Sequence, residues 1–195
     1  MTSYLSAPLA GVRVEGNRMY PAANAWEAVP ERASLLTLNT DSLKNEIKTH
    51  PWVKGVKVTK KWSSGIVVVE VEERRAIIDA KLEGRREIMA GDGTELPGLG
   101  RSDLESVSLD GERLNDILKT VEILKDNGVG LDSVDAVDAA GVQATVEGRQ
   151  IIFGEVVRDG QAKVLRDIME RNPDAGRFDL RSPGRVVVSG TERNG

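Results

Sequence analysis

The chain has 195 residues, with 30% charged side chains of both signs and a formal net charge of -4. That size suggests one or two domains with a sizeable core, and the acidic balance argues against a dedicated nucleic-acid binder. Cysteine is absent and His50 is the one histidine, which excludes disulfides, thiolate nucleophiles and cysteine-held metal sites and leaves His50 as the sole centre for histidine chemistry. The longest apolar run, Ile66 to Val69, is far short of the ~18 residues needed to cross a bilayer.

In chain order, Val12-Arg13-Val14-Glu15 alternates and meets the turn signal Gly16-Asn17, which predicts a short strand. Pro21 to Arg32 reads as a helix with Ala25, Trp26 and Val29 on one side, its end disturbed by Pro30. Asn39, Thr40 and Asp41 can each cap a second helix whose inner face carries Leu43 and Ile47. His50 precedes Pro51 and is pushed out of the α region, so that helix stops there. Trp52 is expected to plug the corner between helix and sheet. Val56, Val58, Lys60 and Trp62 then share one face of a strand, with Lys57, Thr59 and Lys61 on the other. A turn at Ser63-Ser64-Gly65 leads into a second strand with Val67, Val69 and Val71 inward and Glu70 and Glu72 outward. The first unit reads β-α-α-β-β.

The second unit starts with strands at Ala76 to Leu82 and Arg86 to Ala90 around a turn at Gly84. Gly91-Asp92-Gly93 is a further turn, and Leu96 to Gly100 is a loop. Glu112 to Asn127 has the strongest helical pattern, with Leu114, Ile117, Leu118, Val121 and Leu124 on one face and Gly128 as its stop. Strands are predicted at Val134 to Val137, Val142 to Val146 and Gln150 to Phe153. A helix follows at Gln161 to Glu170, with Ala162, Leu165, Ile168 and Met169 inward. Phe178 to Leu180 and Val186 to Val188 are the last strands, around the turn Ser182-Pro183-Gly184. The boundary is set at Arg75/Ala76, giving domains 12–75 and 76–190, with 1–11 and 191–195 as loose ends. The fold class is α+β.

The chemistry of sites is weak throughout. Gly98-Leu99-Gly100 lacks the third glycine of a nucleotide loop. Asp92-Gly93 and Asp110-Gly111 lack the spaced acids of a calcium loop and read as turns. Glu70 and Glu72 alternate with core valines, so they are solvated charges rather than a catalytic pair. Lys57, Lys60, Lys61, Arg74 and Arg75 form a basic cluster open either to an anionic partner or to pairing with nearby glutamates. No constellation points to catalysis, a metal or a cofactor, so the chain is read as a non-enzyme.

Pro51-Trp52-Val53, Val56-Lys57-Val58 and Val67-Val69-Val71-Glu73-Arg74 resemble the core of a POTRA domain of the FtsQ/DivIB cell-division family, and Val12 to Gly16 resembles its opening strand. Asp92-Gly93 with Leu96-Pro97, Phe153-Gly154, Lys163-Val164-Leu165 and Asp179-Leu180-Arg181 resemble the family's later segments, so the likeness runs from Val12 to Val188. Arg75 stands where the family often has proline, and Lys61 to Gly65 departs from its usual turn. The resemblance implies a POTRA domain followed by a β-sheet domain with two helices. It also implies a non-enzymatic scaffold at the division septum, anchored in the cell membrane by a single helix and with this region outside. Met1 to Ser6 looks like what is left once such an anchor is removed.

The partners so implied are FtsB/DivIC-like and FtsL-like proteins, with a septal peptidoglycan synthase and an FtsW-like protein behind them. Binding is expected by strand addition at Arg185, Val186, Val187, Val188 and Ser189, flanked by Arg166 and Glu170. Lys57, Lys60 and Lys61 mark a second face on the POTRA unit. A POTRA module of outer-membrane assembly or secretion machinery is the alternative, and it predicts tandem POTRA units.

Overall fold

The structure, a computed structural model, describes residues 8–98, 104–182 and 185–190. The chain divides into two compact units, Met1–Arg75 and Ala76–Gly195.

In the first unit, β1 (Gly11–Glu15) is followed by α1 (Ala22–Glu27), α2 (Thr40–Lys48), β2 (Val53–Lys61) and β3 (Ile66–Glu73). The sheet order is β1-β3-β2. The central β3 runs parallel to β1 and antiparallel to β2. Val67 and Val69 are completely buried among Leu35, Leu43, Ile47 and Val53. Burying each such valine contributes roughly 1.5–3 kcal/mol relative to leaving it exposed. The central position also buries Val68, on the other face, between Arg13 and Thr59.

The caps explain the helix bounds. Asn39 Oδ1 accepts from the N–H groups of Asp41 and Ser42, which starts α2. The first helix is a correction: it spans Ala22–Glu27 rather than running to Arg32, and Trp26 is 51% exposed instead of packing with Ala25. Val29 precedes Pro30 and is steered away from the α region, so the chain leaves the helix through a tight bond from Val29 N–H to the Trp26 carbonyl, 3.0 Å. Gly16 turns the chain after β1 with φ +82°, where a Cβ would collide with the Val71 carbonyl.

Two carboxylate and guanidinium contacts close the unit. Glu73 Oε1 accepts from the backbone N–H groups of Arg18, Met19 and Tyr20 at 2.8, 2.8 and 2.6 Å. Arg74 Nη1 donates to the carbonyls of Pro51, at 2.9 Å, and Val53. The Glu73-Arg74 pair therefore ties both ends of the helical segment to the end of β3. Trp52 is buried, as a corner plug should be. Its backbone N–H donates to His50 Nδ1 at 3.3 Å, and His50 packs edge-on against Tyr20, so the single histidine serves packing.

The second unit begins with β4 (Ala76–Leu82), β5 (Arg85–Ala90) and β6 (Ser106–Ser108), in the order β5-β4-β6. It continues with α3 (Gly111–Asp126), β7 (Leu131–Asp138), β8 (Gly141–Val146), β9 (Arg149–Phe153), α4 (Asp159–Arg171), β10 (Ala175–Asp179) and β11 (Val187–Gly190). The larger sheet has the order β11-β10-β9-β8-β7. Its core joins Phe153 and Phe178 to Ile117 and Leu124 of α3 and Leu165 of α4. This is not a second β-α-α-β-β unit.

The β4–β5 and β8–β9 hairpins turn on Glu83-Gly84 and Glu147-Gly148, all four with positive φ. That is the twist a two-residue hairpin turn needs. The short β6 was not expected, because Ser-Val-Ser alternates over too few residues to stand out. The loop residues Leu99 and Gly100, the turn residues Pro183 and Gly184, and the ends 1–7 and 191–195 lie outside the described residues.

One buried charge was invisible in the sequence. Asp79, on the central β4, is fully buried, and Arg86 of β5 grips both its oxygens, with Nε at 2.8 and 2.9 Å. The contact holds the Arg86 guanidinium protonated even more firmly than usual. A carboxylate without this partner would be strongly unfavourable there.

Candidate partner-binding edge

The last strand, β11, is one of the two outer strands of the five-stranded sheet, β7 being the other, and its one strand neighbour among the described residues is β10. It runs antiparallel to β10, with Val187 opposite Asp179, Val188 opposite Phe178 and Ser189 opposite Arg177. The strand starts at Val187 rather than Val186, so Arg185 and Val186 precede it. The cause is local: Arg185 N–H donates to the Ser182 carbonyl at 3.2 Å and turns the chain, while Val186 is half-buried against the core. Val187 and Val188 are 47% and 38% exposed, large values for valines in a strand. An outer strand presents backbone donors and acceptors to any chain that can lie alongside it.

The approach to this strand is held from two sides. Gln161, in the first turn of α4, donates through Nε2 to the carbonyls of Leu180 and Ser182 at 3.0 and 3.2 Å. Its Oε1 accepts from Arg158 N–H at 3.1 Å. Asp179 and Arg181 form a two-pronged ion pair, and Arg181 Nη1 also donates to the Ala140 carbonyl at 3.3 Å. The hydrogen bond from Arg181 holds the Asp179 carboxyl below its ordinary range against the opposing effect of burial. The connection into β11 is therefore pinned to α4 on one side and to the β7–β8 turn on the other.

The flanking residues fall differently. Arg166 donates to the Asn127 carbonyl at 3.2 Å, at the end of α3, and lies 3.5 Å from Asp167. Glu170 is exposed in the last turn of α4. Among the described residues, no hydrogen bond or ion pair joins either of them to β11.

Three lysines of the first unit, Lys57, Lys60 and Lys61, do not share a face. Lys57 points outward and lies 3.3 Å from Glu70, and Lys61 is exposed at the end of β2. Lys60 turns to the helix side, where Nζ donates to the Leu38 carbonyl at 2.7 Å. The alternation of the strand implied this split, but nearness in sequence had grouped them. Among the described residues, no group of histidine, aspartate and glutamate is placed to hold a metal ion.

A β-α-α-β-β unit with a parallel β1–β3 pair, joined to a larger β-rich unit, defines a POTRA-bearing protein; residues 7–74 match the family model described as POTRA domain, FtsQ-type. The chain is similar to the cell division protein FtsQ of Streptomyces venezuelae, 25% identical over 193 residues that cover 86% of this chain and 68% of that protein. Residues 7–74 are thus similar to an FtsQ-type POTRA domain, and the likeness along most of the chain supports a place in the FtsQ/DivIB family and a role in cell division.

Proposed function

We propose that this chain is the extracytoplasmic, partner-binding region of a membrane-anchored division scaffold that performs no chemistry itself. It gathers other division proteins at the septum, FtsB/DivIC-like and FtsL-like chains first, and through them helps recruit or regulate septal peptidoglycan synthesis. The observation that carries this reading is the outer strand β11, with Val187 and Val188 exposed and its approach pinned by Gln161 and Arg181. A partner strand laid against it would take affinity from backbone hydrogen bonds and selectivity from alternate side chains. The likeness to a cell division protein supports partners among division proteins in general.

The test is calorimetric titration of the chain with the extracytoplasmic segments of the FtsB-like and FtsL-like proteins of the same organism. Saturable binding that Val187→Pro abolishes, with an unchanged circular dichroism spectrum, supports the reading. Full binding by the folded variant would move the interface away from β11.

A further inference from the structure

Leu36 and Trp62, two exposed apolar side chains of the first unit, lie at one pole, 58% and 57% exposed. Three contacts build this pole. Pro8 forms an antiparallel bridge with Ser34, and Ala10 N–H donates to the Gly65 carbonyl at 2.7 Å. Lys60 Nζ, bound to the Leu38 carbonyl, also lies 5.8 Å from the centroid of the Trp62 ring. The point where the chain enters the unit, the turn from Ser34 to Leu38 and the hairpin turn Trp62–Gly65 are thus side by side. Leu36 sits within the first of these turns, which a bond from Leu38 N–H to the Ser34 carbonyl closes at 2.9 Å.

The pole is mixed in character. Arg32, exposed, Lys60 and exposed Lys61 supply positive charge. Glu31 and Asp41 are the nearby acids in sequence, and Asp41 is paired with Lys44 at 3.0 Å. A tryptophan beside lysines is the combination that suits the boundary between water and a bilayer. The ring sits at headgroup level, and each lysine is drawn to an anionic surface. One tryptophan and one leucine bury too little apolar area to hold a free protein on a membrane. A tether at the same pole removes that difficulty by raising the effective concentration of the surface.

We propose that the Trp62 pole rests in the headgroup layer of an anionic bilayer, with Trp62 and Leu36 dipping in and the exposed Lys61 at the lipid phosphates. The contact operates when the chain is held to the membrane through the residues before Pro8, and in this it rests on the membrane-anchored reading above. It sets which end of the POTRA unit faces the lipid and leaves the opposite end turned away from it.

The test replaces the natural anchor, so it does not depend on that reading. The chain carries an N-terminal hexahistidine tag and is captured on phosphatidylglycerol vesicles containing a nickel-chelating lipid and brominated acyl chains. Trp52 is buried and Trp26 is replaced by phenylalanine, so the quenchable emission comes from Trp62. A blue shift and marked quenching are expected, weakened several-fold by Lys61→Glu and by zwitterionic vesicles. Unchanged emission on the anionic vesicles overturns the proposal, and so does equal quenching when the tag is moved to the C-terminus. Whether the full-length protein fractionates with membranes is measured separately, and a soluble full-length protein would sink the anchored reading instead.

Discussion

Among the outer strands of the three sheets, β2 and β11 are opposite in character. In the POTRA unit, β2 is nine residues long and carries Lys54, Lys57 and Lys61 on its exposed positions, with a register irregularity between Val53 and Gly55. In the second unit, β11 is four residues long, carries no charge and exposes two valines. Lysines and bulges are how proteins keep a strand from pairing with strangers. The contrast teaches that one outer strand, β2, is guarded by charge, while another, β11, is left uncharged with its valines exposed.

The largest expected effect breaks the receptive edge. Val187→Pro should lower affinity for a partner strand about tenfold or more by removing or distorting a ladder hydrogen bond, read by calorimetry. The converse change removes the guard. Lys57→Val with Lys61→Val should make the chain self-associate with rising concentration, seen by light scattering after size exclusion, and a strictly monomeric variant would show that the lysines do not protect β2. Glu73→Ala sharpens the comparison by loosening the POTRA unit without touching either outer strand. It should cost about 1–2 kcal/mol in a denaturant titration and leave binding at β11 intact.

Acid offers a subtler probe. The folded state depresses the Asp179 carboxyl, so its stabilising contribution is complete above the ordinary carboxylate pKa of about 4 and fades as pH falls below it. Asp159, held low first by Lys163 and then by Asn127, behaves in the same direction. The unfolding midpoint should therefore fall on acidification, and Asp179→Asn should flatten that slope, the POTRA unit being unaffected. The smallest effect belongs to Lys57→Ala: its pair with Glu70 is solvated, and stability should change by less than about 0.5 kcal/mol.

Much of this was legible in residues. The run Val67, Val69, Val71 against Glu70 and Glu72 is a period-two signal that only a half-buried strand explains, and Pro51 could only end a helix. The α+β architecture and the order of its first unit followed from such local rules. What escaped needed distance. Asp79 and Arg86 are seven residues apart and meet only because a hairpin folds them together, and an aspartate in an apolar run gives no sign of its partner. The three backbone bonds to Glu73 span more than fifty residues. The valines of β11 were visible as a strand. Their standing at the edge is a matter of strand order, and Arg166 was assigned to that edge although it serves the α3–α4 contact.

The parallel pairing of β1 with β3 has a mechanical consequence. The first strand begins beside Ile66, at the pole where the chain enters, and β3 ends at the far side, where the chain leaves through Arg75. A pull between those two points draws the strands past each other along their length. Hydrogen bonds across the five paired positions of β1 are then loaded together in shear instead of being opened one at a time. In the anchored, partner-binding role proposed above, this arrangement gives resistance to tension, and single-molecule stretching through the two ends of the POTRA unit would read it as a high unfolding force.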